Sequence, residues 1–304
     1  MTITVAFASQ AELDRMAPAP AGARYIVWDI EHEQPTPVDL VIARYMIPAA
    51  ALAALDPATV RVVQGQSLGY DGVAAALPAG ITYCNAVAVH EASTGELALA
   101  LILASLRGIP AAVDAQREAR WAHARQPGLA GRTVLLLGVG GVGAEIEARL
   151  SGFDVSLVRV ARTARDGVHG FDELPALLPS ADVVILAVPL TAETTRLVDA
   201  PFLAAMKIGA LLVNVSRGAV VDTDALLASL ETGRVTAALD VTDPEPLPPA
   251  HPLWRAAGVL ITAHIGGHTA AMAGRIDTVI REQVRRIVAG EQPANVVIPA
   301  SREN

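Results

Sequence analysis

The sequence predicts an α/β protein with two domains, each built on a doubly wound parallel sheet. Short runs rich in Val, Ile and Leu alternate with helical segments along the chain, the pattern of parallel strands covered on both faces by helices. A glycine cluster, Gly138-Val139-Gly140-Gly141-Val142-Gly143, follows one such run and opens a helical segment. The 304 residues also exceed the ordinary size of one domain.

Strand runs in the first third fall at residues 3–8, 25–28, 40–43 and 60–64, enough for one α/β unit. A long helix over about 94–106 is stopped by Gly108 and Pro110, and the polar stretch 117–128 marks the change of domain. Strand runs then recur at 133–137, 155–160, 183–188, 210–214, 236–239 and 259–262. Six strands is the number in a dinucleotide-binding sheet of the usual order. An amphipathic helix over 269–289 is expected to cross back to the first domain. The expected domain bounds are 1–96, 97–268 and a returning C-terminal segment 269–304, with the helix over 94–106 and the polar stretch leading into the second domain.

Composition narrows the function classes. The net charge is −8 and no Lys/Arg-rich run occurs, which argues against nucleic acid or an anionic membrane surface as the main partner. Cys84 is the only cysteine, so no intrachain disulfide forms and a reducing cytoplasm is expected. The first ten residues lack the basic flank and apolar stretch of a signal peptide and read as a buried strand. The longest strongly apolar stretch, 97–106, is too short to span a bilayer.

The glycine cluster lies in the order strand, glycines, helix. Gly138 permits a tight turn, Gly140 lets backbone approach a pyrophosphate, and Gly143 lets helix and strand pack closely, while the helix N-terminus offers N–H groups to phosphate. The next strand ends near residue 160, where a carboxylate would bind the ribose 2′-hydroxyl of NAD. Here the chain has Ala161, then Arg162-Thr163-Ala164-Arg165, and a guanidinium there suits the 2′-phosphate of NADP. The competing reading is that Arg162 and Arg165 merely solvate a surface loop.

Three polar residues each follow a strand run. Arg217, in Val213-Asn214-Val215-Ser216-Arg217-Gly218, is a permanently charged fork suited to a substrate carboxylate and carbonyl. Glu245 lies between prolines in Asp243-Pro244-Glu245-Pro246, and His264 precedes Gly266-Gly267. Singly, these residues are as easily an ion-paired arginine, a solvated glutamate and a structural histidine. Together, at strand carboxyl ends where open α/β sheets bind ligands, they form a candidate catalytic set. His264 and His268 are four apart, but Gly266-Gly267 between them opposes a helical zinc motif, so no metal is expected. Arg44, Tyr45 and Met46, after the third strand run, are candidates to line a substrate pocket or are ordinary loop residues.

The glycine cluster, the Arg217 and Glu245 segments, Leu239-Asp240-Val241 and Thr262-Ala263-His264-Ile265-Gly266-Gly267 resemble, in order, the motifs of the D-isomer-specific 2-hydroxyacid dehydrogenase family over nearly the whole chain. The resemblance implies a Rossmann nucleotide-binding domain inserted in a flavodoxin-like substrate domain, a cleft between them and a homodimer. It implies that His264, Glu245 and Arg217 are catalytic, and that Leu68 and Gly69, with Arg217 and His264, bind the substrate. Cofactor contacts are implied for Gly138, Gly140, Gly141, Val142, Gly143, Arg162, Thr163, Pro189, Thr194, Val215, Asp240 and Gly266, with Asp240 facing the nicotinamide carboxamide.

Two departures from the family pattern stand out. Ala263 replaces the usual Pro before the histidine, and Ala161-Arg162 looks like the family's NADP-preferring glyoxylate and hydroxypyruvate reductases. Glu245 stands where related formate dehydrogenases carry Gln. The expected activity is hydride transfer between NADP(H), with NAD(H) usable, and a small 2-oxo or 2-hydroxy acid. The alternatives are a dinucleotide-sensing protein without turnover, and a phosphite-type dehydrogenase on the same scaffold.

Overall fold

A computed structural model describes residues 2–300. It contains twelve strands: β1 (Ile3–Phe7), β2 (Ala23–Val27), β3 (Val38–Ile42), β4 (Val60–Gln64), β5 (Thr82–Cys84), β6 (Arg132–Leu137), β7 (Val155–Val160), β8 (Val183–Leu186), β9 (Ala210–Asn214), β10 (Val235–Leu239), β11 (Val259–Ile261) and β12 (Val296–Ile298). The chain divides into two compact units, one of residues up to 90 with those from 270 onward, the other of residues 91–269.

The first unit holds a sheet in the order β12-β5-β4-β3-β1-β2, parallel except where β12 runs antiparallel to β5. Without β12 this is the 2-1-3-4-5 order of flavodoxin-like folds. The strand patterning predicts β1 to β4 and misses β5 and β12, because three residues carry too little apolar signal to stand out. The helix Met272–Val288 places Ile276, Ile280 and Val284, one turn apart, into the core formed by Val5, Phe7, Leu40 and Ile42. Beside them Gln283, 0% exposed, donates from Nε2 to Gln64 Oε1 (2.7 Å) and the Ala294 carbonyl (2.9 Å), and its Oε1 accepts from the Ala294 N–H (2.8 Å). Three good bonds satisfy an amide that would otherwise be costly to bury.

The second unit holds an all-parallel sheet in the order β11-β10-β9-β8-β6-β7. Its six strands lie where the sequence predicts them, and the structure adds their order. The usual dinucleotide-binding order has a further strand outside the second, and here that position is a single bridge between Val160 and His169. The reason is local. Arg165 and Val168 exchange N–H···O bonds of 2.9 Å across a tight turn through Asp166-Gly167, so the chain folds back beside β7 before another strand can form. β8 is buried along its whole length, as expected for a central parallel strand covered on both faces.

The helix predicted from residue 94 starts at Glu91, and being one continuous element it belongs wholly to the second unit. The boundary therefore falls at 90/91 and not 96/97. Pro110 does not end helical structure. It occupies the first turn of a second helix, Ile109–Arg117, where its missing N–H has no partner to lose. Gly95 lets the helix Glu91–Leu106 press on the helix Gly141–Leu150, since a Cβ there would sit 3.0 Å from Glu145 Cβ. At the ends of this unit Ser93 Oγ lies 3.1 Å from Thr269 Oγ1. Among the described residues no single helix is long and apolar enough to cross a membrane.

Candidate active site

Strand order in the second sheet reverses between β6 and β8, and the loops leaving the carboxyl ends of these strands build one side of the site. Gly138, at φ +100°, donates its N–H to the Val160 carbonyl (2.8 Å), and a Cβ on it would lie 2.3 Å from the Ala187 carbonyl oxygen. Only glycine fits so close to the chain leaving β8. A Cβ on Gly143 would lie 2.0 Å from the Gly138 carbonyl oxygen, so the helix is packed onto the turn. At Gly140, the N-cap of the helix Gly141–Leu150, a Cβ would meet nothing within 4 Å. Open backbone in front of a helix N-terminus fits the pyrophosphate of a dinucleotide.

Past β7, Arg162 is 75% exposed and its Nη1 lies 3.7 Å from Glu193 Oε2. Glu193 sits on the loop after β8. That loop is held by Thr194, whose Oγ1 donates to the Pro189 carbonyl (2.6 Å) and accepts from the Thr191 N–H (2.8 Å). Thr163 is exposed beside Arg162, while Val215 is buried after β9.

The loops after β9, β10 and β11 carry the three charged residues. Buried Asn214 ends β9, accepts at Oδ1 from the Ser216 N–H (3.0 Å) and hydroxyl (2.7 Å), and donates from Nδ2 to the Arg217 carbonyl (2.9 Å). This turn presents Arg217, whose Nη1 donates to the Ser216 carbonyl (2.6 Å). Next to it, a Cβ on Gly218 would lie 1.9 Å from the Thr242 carbonyl oxygen, so the loops after β9 and β10 run in direct contact.

Asp240, 2% exposed, organises the loop after β11. Its Oδ1 accepts from the Thr262 hydroxyl (2.6 Å) and the Ile265 N–H (2.9 Å), its Oδ2 from the Gly266 N–H (2.9 Å), and its carbonyl from the His264 N–H (2.8 Å). The resemblance implies that Asp240 faces the nicotinamide. In the structure both of its carboxylate oxygens engage the histidine loop, and Gly266 gives its N–H to the same group.

These bonds hold His264 at φ +52°, in the left-handed region, with its Nδ1 2.6 Å from Glu245 Oε1. The hydrogen bond to Glu245 raises the His264 pKa, and the Glu245 charge adds to it, against burial and the Arg217 charge. Burial pushes Glu245 up, but bonding and charge from His264, with the Thr242 N–H and Arg217, bring it below the ordinary carboxylate value. The imidazole and carboxylate are thus biased toward the charged pair, with the Arg217 charge acting on both.

In the first unit the loop carrying Leu68 and Gly69 is pinned by Asn85, whose Nδ2 donates to the Leu68 carbonyl (2.8 Å). Arg44 is drawn to acidic neighbours, Glu31 at 2.7 Å and Asp29 at 3.5 Å, and Tyr45 stacks on His90 with centroids 5.6 Å apart. Met46 is half exposed at φ +55°. His268 donates its N–H to the Ile265 carbonyl (2.9 Å) in a turn. Among the described residues no three His, Cys, Asp or Glu side chains converge as a metal site.

Asn214, Ser216 and Gly218 escaped the sequence reading. The signal available was a polar residue ending an apolar run and a glycine directly after Arg217.

A dinucleotide cradle at a switch point, beside an imidazole–carboxylate pair and an arginine, defines a nicotinamide-dependent oxidoreductase. Residues 99–266 match the family model for the D-isomer specific 2-hydroxyacid dehydrogenase NAD binding domain. The chain is 34% identical to a glyoxylate reductase of Thermofilum pendens over 78% of its own length and 74% of that protein's. Solved structures also superpose on the chain, among them two with a bound nicotinamide cofactor. One is a D-isomer specific 2-hydroxyacid dehydrogenase from Xanthobacter autotrophicus, in complex with NADPH and MES, at 30% identity and TM-score 0.80, covering 98% of this chain and 99% of that one. The other is an NADPH-dependent glyoxylate/hydroxypyruvate reductase from Sinorhizobium meliloti, in complex with NADP and malonate, at 27% identity and TM-score 0.82, covering 100% of both chains. The protein belongs to the D-isomer-specific 2-hydroxyacid dehydrogenase family.

Proposed function

We propose that the protein is an NADP(H)-preferring reductase of small 2-oxo acids of the glyoxylate and hydroxypyruvate type, forming D-isomers where the product is chiral. The observation that carries this reading is the His264–Glu245 contact of 2.6 Å within the field of Arg217, a proton donor held ready next to a fixed cation. The cofactor supplies the hydride when bound.

The chain's own residues do the rest. The Gly138–Gly143 turn and the first turn of the helix Gly141–Leu150 hold the pyrophosphate, with Pro189, Thr194 and Val215 in the surrounding loops. Arg217 binds the substrate carboxylate and orients the carbonyl, replacing a chance encounter by a fixed one. His264 donates a proton to the carbonyl oxygen in reduction and, neutral, accepts it in oxidation. Glu245 orients the ring and favours its protonated form, and Arg217 stabilises negative charge growing on the same oxygen.

Preference for NADP(H) is supported by Ala161 directly after β7, where the strand end itself carries no carboxylate, and by the exposed guanidinium of Arg162. A homodimer in a reducing cytoplasm completes the proposal, and the buried, unpaired thiol of Cys84 suits that compartment.

The test is a spectrophotometric screen of glyoxylate, hydroxypyruvate, pyruvate and bulkier 2-oxo acids with NADPH and with NADH, using wild type and His264→Gln. The wild type should turn over the small acids, faster with NADPH at low cofactor. The variant should lose about 10²- to 10⁴-fold in kcat while binding NADPH normally. Full turnover by His264→Gln refutes the assignment.

A further inference from the structure

The loops after β7 and β8 bring two opposite charges together at the place where the ribose 2′ position is read. Arg162 Nη1 and Glu193 Oε2 are 3.7 Å apart, and both side chains are largely exposed, at 75% and 58%. The pairing is loose and solvated, so each group remains accessible to a ligand. The backbone under Glu193 is fixed independently of its carboxylate. Thr194 bonds the Pro189 carbonyl and the Thr191 N–H, and the Thr195 hydroxyl bonds the Thr191 carbonyl at 2.7 Å. The carboxylate is therefore carried on a rigid turn.

We propose that Glu193 is a specificity-determining residue that restrains the preference of Arg162 for a 2′-phosphate and keeps NAD(H) usable. The inference rests on the reading of Arg162 as the 2′-phosphate binder. A phosphate drawn to Arg162 brings up to two negative charges close to Glu193, which repels them and competes for the same guanidinium. A ribose with a free 2′-hydroxyl carries no such charge, and its O–H can donate to the carboxylate. In an NAD-preferring site of the common kind the carboxylate stands at the end of the second strand. Here that position is Ala161, and the carboxylate comes from the neighbouring loop with an arginine in front of it. One cation and one anion then divide the selection between two cofactors.

The experiment measures dissociation constants of NADP⁺, NAD⁺ and the fragment 2′,5′-ADP by titration calorimetry for the wild type, Glu193→Gln and Arg162→Ala, at low and high salt. Both substitutions are on exposed side chains, and unchanged melting temperatures should confirm that the fold is kept. Glu193→Gln should raise the affinity ratio of NADP⁺ over NAD⁺ about two- to fivefold, the range open to one exposed charge pair, and tighten 2′,5′-ADP in step. The gain should shrink at high salt. Arg162→Ala should lower the ratio about tenfold or more. If Arg162→Ala lowers the ratio and Glu193→Gln leaves it unchanged, Glu193 has no part in selection while the reading of Arg162 stands. If Arg162→Ala leaves the ratio unchanged, the 2′-phosphate reading itself fails, and the role of Glu193 falls with it.

Discussion

His264 Nδ1 lies 2.6 Å from Glu245 Oε1, although the two residues leave different strands and are separated by eighteen intervening residues. Because this bond raises the His264 pKa against the effect of burial, Glu245→Gln should lower it. Reduction needs the imidazolium, so the fall of kcat/KM for 2-oxo acid reduction with rising pH should move to lower pH. Oxidation needs the neutral ring, and its rise should move the same way. Profiles in both directions are the measurement, and midpoints that stay in place would show that Glu245 does not set the histidine's charge.

Asp240 accepts three bonds on its carboxylate, and none of its oxygens can be replaced by a donor without loss. Asp240→Asn turns one oxygen into an NH2 group facing a loop N–H or hydroxyl. Leaving such a buried group unsatisfied costs about 1–3 kcal/mol. The midpoint of urea unfolding should fall accordingly, and kcat should fall more than the dinucleotide affinity, because the disturbed loop carries His264. An equal loss in both would indicate that Asp240 acts mainly on the cofactor.

Two glycines of one turn should behave differently. In Gly143→Ala the new Cβ would fall 2.0 Å from the Gly138 carbonyl oxygen, so the helix must move, at a cost of about 1–3 kcal/mol typical of overpacking. In Gly140→Ala the Cβ meets nothing within 4 Å, so stability should hold while NADPH binding weakens. Thermal melts with and without NADPH separate the two. Equal melting temperatures for both apo variants would contradict this geometry.

Gln283→Leu keeps a similar volume but leaves Gln64 Oε1, the Ala294 carbonyl and the Ala294 N–H without the glutamine's bonds. The first unit should lose about 1–3 kcal/mol for each group left unsatisfied in the interior. Urea unfolding followed by tryptophan fluorescence should show it, with turnover per folded molecule close to wild type. A stability equal to wild type would mean that water replaces the glutamine.

The sequence made the strands legible where they are long and apolar, and the polar residues legible where they end such strands. Arg217, Glu245 and His264 were legible as candidates, because a charged residue just past a buried strand stands out. Asn214 and Gly218 were not, since what they do depends on partners brought close only by folding, the Ser216-Arg217 turn and the Thr242 carbonyl. Gln283 was hidden for a related reason: a glutamine on the apolar face of the helix Met272–Val288 contradicts its pattern until the opposing Gln64 is known. The order of strands in the second sheet was also unreadable, because a six-strand count carries no information about which strand occupies the edge.

Ser93 and Thr269, with their hydroxyls 3.1 Å apart, mark where the chain enters and leaves the segment 91–269. A stretch whose two ends meet needs only a narrow doorway in whatever sequence surrounds it. It can be spliced into a host, removed or exchanged without dragging the host's flanking residues apart. The surrounding residues, for their part, form a continuous sheet from pieces on both sides of the doorway, β12 pairing with β5 across it. The architecture is that of a cassette: one segment with adjoining ends, set into a sheet whose strands come from both sides of it.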